Sequence, residues 1–301
     1  MRILRFLGTM WAASIIIFLL MRAVPGNPAR VALGVNATNE SVAELTHAMG
    51  LDRPLLVQYL EWMKGLLTGN FGVSLSSQQD ITPLVIDRAQ VTLLLIGLAI
   101  ALALAGAIPM GILLARFRLP VLNAATQLGI AVPSFLAGIL LVAVFSVHLG
   151  WLPANGWQLP REGLSHLVLP VISLALVQGA MLTRYVRATL REEMDKDYIR
   201  TARSLGESRT GALIRHGLRN AALPVLTVTG VQLSTLVVGA VVIENVFVIP
   251  GLGSLLLDAV STRDLTTVQT LIMVFVTFTL TVNLLTDLAY RVIDPRLKEA
   301  R

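Results

Sequence analysis

The run VTLLLIGLAIALALAGAIPMGILLA, from Val91 to Ala115, decides the fold, because no charged side chain interrupts it. A bilayer core about 30 Å thick needs roughly 20 apolar residues in a helix, and this run supplies them. Five further segments read the same way, at about Phe6–Met21, Val121–Val147, Leu164–Val186, Leu223–Phe247 and Thr267–Tyr290. The chain is 55% hydrophobic and 14% charged, with mean hydropathy +0.74; a soluble chain of this length carries roughly 25% charged residues. The expected fold is an all-α integral membrane protein with about six transmembrane helices. The first segment is short enough for a cleaved signal peptide, but no small-x-small site precedes Pro25, and Arg2 and Arg5 suit a retained anchor.

The net charge is +6, and a basic balance can point to nucleic acid. Here the basic residues are mostly Arg and lie beside the apolar runs, which fits the positive-inside rule better and leaves nucleic acid out as a partner. With the N-terminus inside, 17 Lys and Arg fall on the cytoplasmic side and seven on the other. Both termini are therefore expected in the cytoplasm. The chain has no cysteine, which excludes disulfides and thiolate metal sites.

The expected organisation is an anchor with an external helical region over residues 1–90, a core over 91–295 with an internal loop at 187–222, and a tail at 296–301. In the external region, Ser41 to Met49 reads as a short helix capped by Ser41 and stopped by Gly50. Pro54 to Leu67 reads as a second, stopped at Gly69, whose stripe of Leu56, Tyr59, Leu60, Met63 and Leu67 suits plain packing better than a membrane surface or a cavity lid. In the internal loop, Asp195 or Asp197 can cap a helix whose inner face holds Tyr198, Ala202 and Leu205. Gly206 breaks it, and Ser208 can cap a second helix carrying Leu213, Ile214 and Leu218. Two short amphipathic helices joined by a glycine either press against a partner or form a solvated basic loop; the pattern alone allows both.

Several chemistries are missing. None of the three lysines (Lys64, Lys196, Lys298) sits in a phosphate-cradling Gly-x-x-x-x-Gly-Lys-Ser/Thr loop, so ATP, if used, binds another polypeptide. There is no Gly-x-Ser-x-Gly elbow and no His-Glu-x-x-His helix, and His47, His148, His166 and His216 are scattered. Neither catalysis, metal nor cofactor is expected.

At the internal loop a family resemblance appears. The run Asp197-Tyr198-Ile199-Arg200-Thr201-Ala202-Arg203-Ser204-Leu205-Gly206, then Arg215-His216-Gly217-Leu218-Arg219-Asn220-Ala221-Ala222-Leu223-Pro224, resembles the EAA loop of ABC importer permeases of the dipeptide, oligopeptide and nickel branch. Gly50-Leu51-Asp52-Arg53-Pro54 with Gln58-Tyr59, Trp151-Leu152-Pro153, Glu244-Asn245-Val246-Phe247, Pro250-Gly251-Leu252-Gly253 and Asp294-Pro295-Arg296 extend the resemblance over essentially the whole chain. It departs from the generic loop where Arg200-Thr201-Ala202 stand for Glu-Ala-Ala, and His216-x-Leu218-Arg219 for Ile-x-Leu-Pro; the carboxylate that generic members offer an ATPase is absent. The resemblance implies a type I importer fold, a second related permease subunit, two ABC ATPase subunits, an extracytoplasmic solute-binding protein and a peptide substrate, with nickel-chelate or glutathione-like substrates as the alternative. It also implies that Tyr198, Arg200, Thr201, Ala202, Arg203, Leu205 and Gly206 couple the chain to an ATPase.

Polar residues within spans are candidates for a translocation pathway, because each is costly in lipid. These are Gln127, Ser134, Gln178, Gln232, Glu244 and Asn245, with Thr183, Arg184 and Asn283 as lesser ones. Glu244 could line a cavity or only fix the turn at Pro250, and Asp287 suits a local pair with Arg291. Gly106, Ala107, Gly111 and Gly138 suit close helix packing; Pro109, Pro133 and Pro170 suggest kinks. A secondary transporter driven by an ion gradient is the alternative from another class, but neither inverted repeats nor paired membrane carboxylates stand out.

Overall fold

The computed structural model describes residues 2–34, 37–157 and 163–293. Its helices in chain order are α1 (Arg2–Ala23), α2 (Pro28–Leu33), α3 (Asn39–Ala48), α4 (Leu55–Thr68), α5 (Thr82–Arg116), α6 (Pro120–Ala131) and α7 (Ser134–Leu141). There follow α8 (Gly163–Met194), α9 (Asp197–Ser204), α10 (Arg209–Ala212), α11 (Leu218–Val246), α12 (Leu252–Ser261) and α13 (Leu265–Ile293). Val142–His148 continues α7, and Leu213–Gly217 links α10 to α11, both as π-helical turns. Among the described residues the strand pairing is limited to an antiparallel bridge between Val73 and Asp80.

Five rods are long and apolar enough to cross a membrane: α1, α5, α8, the continuous α10–α11 rod and α13. The third expected span is not one rod. Over Val121–Val147 the chain turns through 106° between α6 and α7. Pro133 has no N–H to continue α6, and it pushes Val132 into an extended conformation, φ −87° and ψ 121°. Pro109 and Pro170, by contrast, lie inside α5 and α8 without ending them. Asp294-Pro295-Arg296, the tail at 296–301 and the Arg291 side chain lie outside the described residues.

Contacts divide the chain into two units, residues 1–92 with 250–280, and residues 93–249 with those from 281 onward. In the first, Ile81 and Val85 pack with Leu252, Leu255 and Leu271. Beside this cluster the buried Asp264 caps α13, accepting from the Thr267 N–H (3.2 Å) and hydroxyl (2.7 Å). The same carboxylate accepts from the Ser74 hydroxyl (2.5 Å) and the Leu75 N–H (3.0 Å). One side chain thus pins the 74–76 turn to the start of a span. An Asp preceding an apolar helix signals a cap, but nothing in the sequence marks Ser74 as its partner.

Two expectations for the external helices change. Ser41 is not the cap of α3. Thr38 holds that place, and Ser41 answers it from the third position in a reciprocal capping box. On α4 the inward side chains are Gln58, Tyr59 and Trp62; Trp62 stacks on Phe18 of α1, Tyr59 meets that ring edge-on, and the Tyr59 hydroxyl is 2.9 Å from that of Ser14. Leu56, Leu60 and Leu67 face away, at 68%, 56% and 82% exposure. Aromatic stacking and the Gln58 bonds to the Leu51 and Arg53 carbonyls set which face turns in; the leucine stripe does not.

In the second unit, α8 packs against α6, α7 and α11. A Cβ on Gly111 would lie 2.4 Å from Val186, so α5 meets α8 only because this residue is glycine. Gly138 likewise faces Phe247 closely, and Ala107 is buried, but Gly106 faces open space and has no packing role.

Two outcomes follow for the first unit. Asp264→Ala leaves several buried donors unpaired and should cost about 2–4 kcal/mol, read as a lower Tm of the detergent-solubilised protein. The hydrogen bond from His47 (2.6 Å) holds the Asp52 carboxyl below its ordinary value. A carboxyl depressed in the fold contributes stability above its unfolded value near about 4, and loses it as pH falls through the lower, folded value. Asp52→Asn should therefore flatten the acid limb of a stability–pH curve in that window by lowering the neutral plateau slightly, and leave stability below the folded value unchanged.

Candidate functional site

The hairpin Asp197–Gly217 is built from short-range rules. Lys196 occupies the cap position of α9 with no side-chain bond to the helix, so neither Asp195 nor Asp197 caps it as expected. Asp197 instead sits in the first turn, where a negative charge favours the helix dipole, 3.2 Å from Arg200. At the other end, Gly206 N–H donates to the Arg203 carbonyl (3.1 Å) and Glu207 N–H to that of Ala202 (3.1 Å). This paired closure needs a left-handed residue, and Gly206 has φ +95°. Ser208 then caps α10 as expected, accepting from Gly211 N–H at 3.0 Å.

The faces of α9 are also corrected. Ile199 (2% exposed) and Ala202 close on Ala212 of α10, with Tyr198 packed beside them. Leu205 stands at the cap, beyond the last helical residue, and is 81% exposed. The outward surface is therefore Arg200, Thr201, Arg203, Leu205 and Gly206. Tyr198 donates to Glu193 at the end of α8. Burial raises its phenol above the ordinary value; a hydrogen bond with Asn220 opposes this and Glu193 reinforces it, so the donor keeps its proton at neutral pH.

Three rods meet the hairpin. Leu213 is buried among Ala115 of α5, Val186 and Leu190 of α8, and Ala221 of α11. Arg116 donates to the Thr210 hydroxyl (3.2 Å), and Arg191 to the Leu114 carbonyl (3.3 Å). Glu207 closes the ring with Arg215 (3.6 Å) and His216 (3.4 Å).

The pathway candidates scatter. Gln127 and Asn245 are exposed, and Ser134 is half-buried at the start of α7. Gln178, Gln232 and Glu244 are buried. Gln232 donates to the Met181 sulfur (2.9 Å) and accepts from Thr235 (3.2 Å). The Gln178 oxygen has no partner among the described residues. The Glu244 carbonyl accepts from Ile249 N–H at 2.8 Å, which closes α11 by the same motif as α9, here with Val248 in the left-handed place at φ +53°. A cavity of about 700 Å³ lies among α5, α6, α7 and α8, lined by Leu102, Met110, Leu140, Phe145, Ile172 and other apolar side chains. None of the six pathway candidates lines it, so it is an apolar cleft opened by the bend at Pro133 and not a polar route. No cluster of three metal-ligating side chains occurs among the described residues.

Apolar rods are gathered here on a short basic hairpin. A crystal structure of an amino acid ABC transporter with histidines shares this fold, at 20% identity and a TM-score of 0.53, over 70% of this chain and 94% of that one. The chain itself belongs to the family described as binding-protein-dependent transport system inner membrane component, whose model matches residues 107–299; the family's N-terminal model matches residues 1–96. It is 35% identical to a probable peptide ABC transporter permease protein of Sinorhizobium fredii, over 99% of this chain and 97% of that one. To a glutathione transport system permease protein of Escherichia coli it is 36% identical, over 99% and 97%. The chain is thus a multi-pass inner-membrane permease subunit of an ABC importer, a class that works with ATPase and binding-protein partners.

The two matching helix ends give opposite tests. Gly206→Val forces a branched side chain into the left-handed place and should cost about 1–2 kcal/mol. Val248→Gly removes that strain and should gain about 1 kcal/mol. Thermal unfolding of the purified protein reads both, and equal signs would contradict the geometry.

Proposed function

We propose that this permease imports peptides by alternating access, and that α9 couples it to a separate ATPase. The observation that carries the reading is a division of labour on one short helix. Ile199 and Ala202 lock it to α10, while Arg200, Thr201, Arg203 and Leu205 are left for a partner. A helix so placed moves as a rigid body with the ends of α5, α8 and α11. Arg200 and Arg203 would meet acidic groups in an ATPase groove, each exposed pair contributing about 0–1 kcal/mol. Leu205 would supply the apolar anchor, and the small Thr201 the close approach.

In this reading both termini and the hairpin are cytoplasmic. The assembly holds a second related permease, two ATPases and an extracytoplasmic solute-binding protein. ATP binding closes the ATPases, the coupling helices follow, and the permease pair opens outward to take its solute. Gln127, Ser134, Gln178, Gln232, Glu244 and Asn245 are proposed as pathway residues. The peptide class rests on the relatives, which are named for peptide and for glutathione, itself a small peptide.

The test targets the outward face only. In proteoliposomes holding the whole complex, Leu205→Asp with Arg203→Glu should abolish peptide uptake and the stimulation of ATP hydrolysis by loaded binding protein, while the subunit still inserts. Uptake within twofold of wild type would sink the coupling assignment.

A further inference from the structure

A second cavity, of about 450 Å³, lies within the first unit, and Arg22, Gln58, Glu61, Trp62, Asn70 and Gln269 are among its lining. Three buried polar atoms of this lining have no hydrogen-bond partner among the described residues: the donors Arg22 Nε and Trp62 Nε1, and the acceptor Gln58 Oε1. Each is held in place by its other contacts. The Gln58 amide nitrogen donates to the Leu51 (3.1 Å) and Arg53 (2.8 Å) carbonyls, which orients its oxygen away from them. The Arg22 guanidinium lies over the Phe18 ring at 4.9 Å, leaving its edge free to donate, and Trp62 stacks on the same ring. Glu61 does not neutralise Arg22, because it pairs with Arg53 at 2.6 Å. Among the described residues Arg22 has no ion pair.

We propose that this cavity binds one phospholipid headgroup of the phosphoethanolamine kind. A cation with two N–H donors suits phosphate oxygens, and an acceptor buried beside them asks for a donor on the same ligand, which an ammonium provides. Two placements favour a lipid over a free anion. Arg22 lies in the last turn of the membrane-spanning α1, where headgroups are met, and Tyr59 and Trp62 beside it are the residue types of an interfacial belt. Leu19 and Leu20 of α1, with Leu55 and Leu56 of α4, are exposed on the two helices that bear Arg22 and Gln58, and offer an apolar bed for acyl chains.

The test is native mass spectrometry of the assembled complex, delipidated and titrated with palmitoyl-oleoyl-phosphatidylethanolamine. One lipid should be retained per chain, and Trp62→Phe, which keeps the ring and removes the donor, should weaken it about tenfold. Arg22→Gln should do the same. On the unaltered chain, which needs no variant to fold, the phosphatidylcholine with the same acyl chains should bind about tenfold more weakly, since its head has no donor. Equal retention of the two lipids, unchanged retention in both variants, or displacement of the lipid by millimolar inorganic phosphate would each overturn the assignment.

Discussion

A helix that leaves a bilayer has to stop, and stopping strands its last four carbonyls with no partner of their own. This chain meets the constraint with one device that recurs at several helix ends. At Ala202–Glu207 and again at Glu244–Ile249 a left-handed residue turns the backbone so that two following N–H groups reach back to the stranded carbonyls. The two turns bracket the α10–α11 rod, from Arg209 to Val246. Ser208 caps the start of this rod and the second turn closes its end, so neither end frays and absorbs displacement. The same need, met at a helix start, explains why a buried aspartate sits before α13.

Stiffness in the hairpin has a second source. An isolated helix of eight residues is unstable in water, because so few hydrogen bonds follow a costly nucleus. The α9 helix therefore depends on its lock to Ala212, on Tyr198 reaching Glu193, and on the Gly206 closure. These contacts run to both flanking rods and leave one face unused. That economy suits the coupling role proposed for it, in which the hairpin would hold its shape while a partner pulled on it. A floppy basic loop would supply the charge but could not carry the motion.

How far the sequence was legible depended on the length of the signal. The long rods were readable because some twenty apolar residues admit few other structures. The break at Pro133 was signalled by the proline, but its size was not, since a missing N–H tells only where a helix weakens. The faces of the short helices misled. Tyr198, Ala202 and Leu205 form a stripe only if the helix extends through Leu205, and it ends at Ser204. On α4 the leucines lost the inward place to Gln58, Tyr59 and Trp62, whose partners Leu51, Phe18 and Ser14 lie in other segments. The Asp264 strap joins residues about 190 positions apart, a relation no local pattern carries.

Polarity inside the rods sorts by chemistry more than by position. A hydroxyl in a span can donate to the carbonyl four residues back, and Ser173, Thr183, Thr227, Thr229 and Thr286 all do so. Such residues satisfy themselves and need no pathway to explain them. A carboxamide is different, since its donors and its acceptor point apart and its own helix cannot meet both. Gln232 recruits Met181 and Thr235, whereas the Gln178 oxygen finds nothing among the described residues. A buried acceptor of this kind would be costly in a rod meant to stay in one environment. In the alternating-access reading proposed above, the surroundings of such a rod change, which makes Gln178 a stronger pathway candidate than any of the hydroxyls.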